Sequence, residues 1–180
     1  MTLALVLVAV VVLGELPTVG RRREGSRAAD RGSYAALSVL MGVGYWAAFY
    51  VAGRYGRTFG AWASWLGTVL AIGGTLFRQW AIRTLGAYFT RSVRVSEDQR
   101  VVQDGPYRWV RHPSYTGAIA AAAGVGFALG NGLSLAFIVA AVVPGFAYRI
   151  SVEEKALGET LGEPYRAYCA RTKRLIPFVW

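Results

Sequence analysis

Five long runs of apolar residues, parted by short segments that carry nearly all the arginines, restrict this chain to very few folds. The runs extend from Thr2 to about Val19, Tyr34 to about Gly53, Ala61 to Ile82, Pro113 to Leu129 and Leu133 to Tyr148. Hydrophobic residues make up 54% of the 180 positions and charged residues only 17%. An average soluble domain carries about 25% charge. Blocks of this kind read as membrane helices. The expected fold is an all-α integral membrane protein of one domain, with about five transmembrane helices. The first run has no positive segment before it, and Glu15-Leu16-Pro17 is a poor cleavage site, so it reads as a retained helix rather than a signal peptide. Pro17 marks its end.

The net charge of +10 invites a nucleic-acid partner, but its distribution argues against one. The linker Arg21–Ser33 holds five arginines. With that linker in the cytoplasm and the runs crossing alternately, 18 of the 20 Lys and Arg fall inside and only Arg54 and Arg57 outside. That asymmetry is the positive-inside pattern. It predicts a multi-pass protein with its N-terminus outside, its C-terminus inside and membrane lipids as its surroundings. Cys169 is the single cysteine, so no internal disulfide and no thiolate metal site is expected.

The last two runs form a hairpin. Each has about 17 apolar residues, or about 25 Å at 1.5 Å per residue, against a hydrocarbon core of about 30 Å. Gly130-Asn131-Gly132 is a turn by composition. His112 and Arg149, at the two open ends, must then lie near each other at one membrane surface. Gly124-Val125-Gly126 with Gly130 faintly echoes a dinucleotide fingerprint, but no strand precedes it. Gly126 and Gly130 suit close helix packing instead. The chain divides into residues 1–83, the first three helices, and residues 84–180, where the polar chemistry lies.

That chemistry is concentrated in Gly105–Gly117, GPYRWVRHPSYTG, which holds two arginines, the only histidine, two tyrosines and a tryptophan. Opposite it, Arg149 and Glu153 stand four residues apart and share one helical face. Taken singly, these residues have plain explanations: interfacial aromatics, positive flanks, a surface salt bridge. Glu163-Pro164 breaks the tail, with Pro164 at the start of a short amphipathic helix. Arg174-Leu175-Ile176-Pro177-Phe178 closes the chain as an apolar interfacial segment.

Together, GPYRWVRHPSYTG, then Arg149, Ile150, Glu153, Glu154 and Leu157, then LGEPYRAY and RLIPF strongly resemble the isoprenylcysteine carboxyl methyltransferase and phospholipid methyltransferase superfamily. The resemblance covers roughly Leu85–Phe178. It implies an S-adenosylmethionine-dependent methyltransferase whose cofactor sits between the cytoplasmic ends of the hairpin. The cofactor-binding positions it implies are Gln99, Arg100, Val101, Val102, Gly105, Tyr107, Arg111, His112, Pro113, Ser114, Tyr115, Glu153 and Glu154. Arg149 is implied as the substrate-facing residue, and Arg149 and Glu153 as the catalytic pair. Many relatives have His at position 99; an amide there can hydrogen-bond but cannot serve as cation or base. The resemblance also implies an upstream cofactor contact at Arg94.

This chemistry suits the residue types. Tyrosine faces attract a sulfonium, Glu153 can accept from an ammonium or ribose, and Arg149 can grip a carboxylate with two prongs. The implied acceptor is a lipophilic or prenylated molecule entering from the bilayer, foremost the carboxylate of an isoprenylcysteine-like substrate. Phospholipid N-methyl or thiol S-methyl transfer are alternatives. A sterol-reductase-like NADPH enzyme and a non-enzymatic membrane scaffold are the competing classes. On this reading His112 is a cofactor contact rather than a base.

Overall fold

A computed structural model describes residues 2–15, 27–28, 32–90, 94–95 and 100–177. Gln99 and Phe178, and the side chain of Arg94, lie outside the described residues. Among the described residues six helices carry the fold: α1 (Thr2–Glu15), α2 (Ser33–Tyr55), α3 (Trp62–Leu85), α4 (Pro113–Leu129), α5 (Gly132–Leu161) and α6 (Glu163–Arg171). Two short 3₁₀ turns, Gly86–Tyr88 and Gly105–Arg108, lie between α3 and α4. A two-residue antiparallel ladder, Arg27–Ala28 with Arg94–Val95, completes the regular structure.

By length and composition α2 and α5 could each cross a membrane, while Thr2–Gly14 and Pro113–Leu129 are shorter apolar helices. The outward faces of α2 and α3 are apolar. Val39, Val43, Trp46, Trp65, Val69 and Leu76 are each 60% or more exposed. A water-soluble surface does not carry a patch of that extent; a lipid-facing one does.

Glycine sets how closely α3 and α4 approach. A Cβ on Gly67 would come within 2.6 Å of Ala128 N and Gly124 O, and one on Gly74 within 2.6 Å of Ala121 N and Gly117 O. The two helices therefore meet backbone to backbone. Of the small-residue pair expected from sequence, Gly126 serves close packing against α5, where a Cβ would come 2.8 Å from Leu135 Cδ1 and 3.1 Å from its Cα, whereas Gly130 ends α4 in the left-handed region at φ 73°. The partners of the close contact are Gly117 and Gly124, which lie on a different face of α4.

The hairpin turn forms as its composition predicts. Asn131 Oδ1 accepts from Leu133 N at 3.0 Å and Ser134 N at 3.3 Å, capping α5. Its Nδ2 donates to Gly56 O at 2.7 Å, and Thr58 N and Phe59 N both donate to Gly130 O at 2.8 Å. The tip is thus fastened to the α2–α3 connection, so the hairpin runs the full height of the bundle. α5 runs past Tyr148 as one helix to Leu161 and ends at Gly162, as the shared helical face of Arg149 and Glu153, the Leu157–Leu161 stripe and the Gly162-Glu163-Pro164 break predict.

Candidate active site

The two open ends of the hairpin meet where the sequence expects them. Tyr115 stands between Arg149 and Glu153. Arg149 Nε donates to Tyr115 Oη at 2.9 Å, and Tyr115 Oη donates to Glu153 Oε2 at 2.6 Å. The one-turn spacing of Arg149 and Glu153 is therefore used to grip a common hydroxyl from α4. Arg149 is 4% exposed, and its Nη1 also donates to Ser33 Oγ at 3.3 Å. Its guanidinium lies 5.7 Å from the centre of the Tyr34 ring and 5.8 Å from that of Tyr115. The His112 ring stacks on Tyr115 with centroids 5.5 Å apart and planes 4° apart.

His112 also links the two glutamates. Its Nδ1 lies 3.7 Å from Glu153 Oε2 and its Nε2 3.3 Å from Glu154 Oε1. The glutamates face different ways. Glu153 lines a polar cavity, whereas Glu154 accepts from Arg111 Nε at 2.9 Å and from Arg174 Nε and Nη2 at 3.0 and 2.9 Å. Glu154 thereby fastens residues 172–176 beside the site. Arg111 N and His112 N donate to Lys173 O and Arg174 O at 2.8 and 3.0 Å, and Thr116 Oγ1 donates to Leu175 O at 2.8 Å. Arg111 Nη1 adds bonds to the carbonyls of Cys169 and Thr172.

Of the sequence-derived positions, Arg100, Val101, Val102, Tyr107, Arg111, His112, Ser114, Tyr115, Arg149 and Glu153 line the polar cavity. Gly105, Pro113 and Glu154 are not among its lining residues. Gly105 adopts φ 54° and opens the 3₁₀ turn that carries Tyr107, and Pro113 starts α4. Leu85, Tyr88, Phe89, Thr90, Leu157, Leu161, Tyr165 and Tyr168 join the lining from outside the sequence-derived set. Tyr165 stands in the EPY run, which by pattern signals only a helix start. Tyr168 Oη donates to Tyr107 O at 2.6 Å, tying α6 to the opening turn. Burial pushes the phenols of Tyr107, Tyr165 and Tyr168 above the ordinary tyrosine range, so each is a neutral donor.

A second, apolar cavity of about 440 Å³ lies deeper in the bundle, walled by all of α1 to α5. Tyr34, Leu37, Met41 and Tyr45 line it from α2, Val8, Val11 and Val12 from α1, Ala118 and Ala121 from α4, and Phe146 from α5. Phe89, Thr90, Tyr115 and Arg149 line both cavities and form the wall between them. Arg78 also borders the apolar cavity, with Nη1 donating to Ser114 O at 3.1 Å. In the sequence Arg78 is merely a basic residue near the end of a run. Among the described residues no group of His, Cys, Asp and Glu is arranged to hold a metal.

The model of the isoprenylcysteine carboxyl methyltransferase family matches residues 65–159, more than half of the chain. The chain belongs to that family. Protein-S-isoprenylcysteine O-methyltransferase B of Arabidopsis thaliana is 34% identical over 120 residues, covering 66% of this chain and 61% of the relative. The Saccharomyces cerevisiae protein-S-isoprenylcysteine O-methyltransferase is 37% identical over 116 residues, covering 63% of this chain and 48% of the relative. The chain thus spans less than two thirds of the length of these curated relatives. A solved structure of the eukaryotic intramembrane Ras methyltransferase ICMT superimposes with a TM-score of 0.63 at 30% identity, over 83% of this chain and 53% of that one. The matched segment of this family member includes α4, most of α3 and nearly all of α5, and so contains the Tyr115–Arg149–Glu153 grouping.

The residues of the polar cavity fit the methyl donor such a family requires. Among the described residues no partner reaches the buried Tyr165 hydroxyl, which leaves a donor in a cavity wall for a ligand to satisfy. Aromatic faces from Tyr88, Phe89, Tyr107 and Tyr115 suit a sulfonium, and Val101, Val102, Leu157 and Leu161 suit a purine face. The cavity encloses about 80 Å³. Small-molecule sites start at about 300 Å³, so the enclosed volume holds only part of a nucleoside-sized donor.

Proposed function

We propose that this chain is an intramembrane methyltransferase that uses S-adenosylmethionine to methylate the carboxylate of a lipophilic, isoprenylcysteine-like acceptor. The observation that carries this reading is the shared wall. A polar cavity suited to a charged donor and an apolar chamber suited to a lipid tail meet at Phe89, Thr90, Tyr115 and Arg149. The relatives are protein-S-isoprenylcysteine O-methyltransferases, which supports the same acceptor class.

When bound, S-adenosylmethionine supplies an electrophilic methyl on a positively charged sulfur. The residues of this chain position the partners for an in-line displacement, where geometry accounts for most of the acceleration. Arg149, buried in the shared wall, holds the acceptor carboxylate and aims one oxygen at the donor side. A carboxylate arrives as an anion, so no base is needed. Glu153 and the hydroxyls of Tyr115 and Tyr165 bind the polar groups of the donor, and the aromatic wall shields the reacting atoms from water. Tyr115 keeps Arg149 and Glu153 in register. In the membrane, the five apolar helices span with the N-terminus outside, and the site opens at the cytoplasmic face, where the arginines gather.

The test is transfer of labelled methyl from S-adenosylmethionine to prenylcysteine acids, phosphatidylethanolamines and small thiols. The expected result is base-labile label on the prenylcysteine acids. Label confined to amines or thiols would overturn the acceptor assignment. Arg149→Ala should abolish turnover while donor binding stays within a few-fold of the parent. Collapse of donor binding would show that the roles given to Arg149 and Glu153 are wrong.

A further inference from the structure

The apolar chamber extends away from Arg149, and Tyr45 is among the residues that line its far part. Along α2 the lining residues Tyr34, Leu37, Ser38, Met41 and Tyr45 descend one helical face, with Tyr45 the deepest. Val8 of α1 faces that level from the other side. Tyr45 is the larger side chain and the one with reach. Side chains on a helix lean toward its N-terminus. For α2 that direction is Ser33, whose Oγ meets Arg149. The Tyr45 phenol is thus aimed back along the chamber toward the guanidinium.

The position of this phenol is fixed by packing. The neighbouring Gly44 lies directly on Ala141 of α5, and a Cβ there would collide with the Ala141 methyl and come 3.2 Å from Phe137 O. Ala141 is two helical turns from Arg149 on the same helix, which places Tyr45 about 12 Å deeper than Arg149 at 1.5 Å per residue. The head of the chamber is cationic, with Arg149 and Arg78 at its rim, and its walls are otherwise almost wholly apolar. Its 440 Å³ is suited to one chain rather than two.

We propose that Tyr45 is a length stop. The chamber takes a single-chain amphiphile with an anionic head at Arg149, and the Tyr45 ring limits how far its tail extends. Longer tails must fold or force the wall, and overfilling a packed site costs about 1–3 kcal/mol, a factor of roughly 5 to 150. The proposal rests on the chamber being the acceptor site.

The experiment uses the full chain in lipid nanodiscs and N-acetyl-S-alkylcysteines with tails of six to about eighteen carbons, at fixed mole fraction in the lipid. Two readouts are taken: labelled methyl transfer, and thermal stabilisation by the same acids without methyl donor. Both should fall by about tenfold or more in relative effectiveness once the tail passes the limit. Tyr45→Ala should move the fall to tails longer by on the order of four carbons, the length of the phenol. Tyr45→Trp should move it to shorter tails, and Tyr45→Phe should leave its position unchanged, since the ring and not the hydroxyl is the stop. These are ratios within one variant, so loss of folded protein does not imitate them. A profile without a limit, or a limit that Tyr45→Ala and Tyr45→Trp leave in place, overturns the stop. If the stabilisation profile shifts as stated but no acid of any length is methylated, the stop stands and the methyl-transfer reading falls.

Discussion

Removing the Glu154 carboxylate should loosen the polar end of the molecule, although Glu154 itself does not line the cavity. Its Oε1 accepts from Arg111 at 2.9 Å and meets His112 at 3.3 Å, and its Oε2 accepts two bonds from Arg174 at 3.0 and 2.9 Å. The Glu154 and Arg111 side chains are 15% and 11% exposed, so this pair is shielded, whereas Arg174 is 40% exposed. Deleting one member of a buried pair costs about 3–5 kcal/mol. Arg111 retains the carbonyls of Cys169 and Thr172, which holds the cost near the lower end. The half-exposed Arg174 pair adds at most about 1 kcal/mol. Glu154→Ala should therefore destabilise the protein by about 3 kcal/mol, and the isosteric Glu154→Gln by less. The assay is unfolding in nanodiscs followed by tryptophan fluorescence, since Trp109 lies beside the affected segment. At about 2–4 °C per kcal/mol for a chain of this size, the midpoint should drop by roughly 6–12 °C. A double-mutant cycle should give strong coupling of Glu154 to Arg111 and weak coupling to Arg174. Loss of less than about 1 kcal/mol in Glu154→Ala, or stronger coupling to Arg174 than to Arg111, would refute this reasoning.

Tyr165→Phe removes a buried hydroxyl that has no partner among the described residues. It should leave the donor-free protein as stable as before or more so, yet weaken S-adenosylmethionine binding about 2- to 13-fold, the worth of one hydrogen bond; equal binding by calorimetry would remove Tyr165 from the donor site. Gly117→Ala puts a methyl 2.6 Å from Gly74 O and 2.7 Å from Arg78 N, and should cost about 1–3 kcal/mol in thermal unfolding. Gly73→Ala, with nothing within 4 Å, should be neutral or stabilising, and equal effects at the two positions would refute the close α3–α4 contact. Tyr107 and Tyr168 titrate above the unfolded value of about 10. Their contribution is complete below that pH and is lost as pH rises toward the folded values, because the unfolded chain releases those protons first. An alkaline scan should show unfolding coinciding with tyrosine ionisation at 295 nm, rather than ionisation preceding it.

Hydropathy and charge made much of this architecture readable before any coordinates. The runs that became α2 to α5, the turn at Asn131 and the meeting of His112 with Arg149 follow from apolar length, turn composition and arginine placement. The continuation of α5 to Leu161 was readable too, from the shared face of Arg149 and Glu153 and the break at Gly162-Glu163-Pro164. Two things were not readable, for distinct reasons. The opposite facing of Glu153 and Glu154 depends on the 100° that separates adjacent helical residues, and only the packed neighbours show which of them meets the cavity. Phe89, Thr90 and Arg78 carry no motif, and only the packed structure shows that Phe89 and Thr90 line both cavities and Arg78 the apolar one.

The segment 172–176 gives the molecule a schedule as well as a shape. Thr116 and Leu175 are 59 residues apart in the chain yet share a hydrogen bond, and the backbones of Arg111 and His112 are held by Lys173 and Arg174. At about 5–20 residues per second, a ribosome completes that segment only about 1–3 seconds after it completes α5. During this interval the rim around His112 lacks the backbone partners that residues 173–175 supply. The order of the chain therefore places the closing of this rim after the making of the helices it joins.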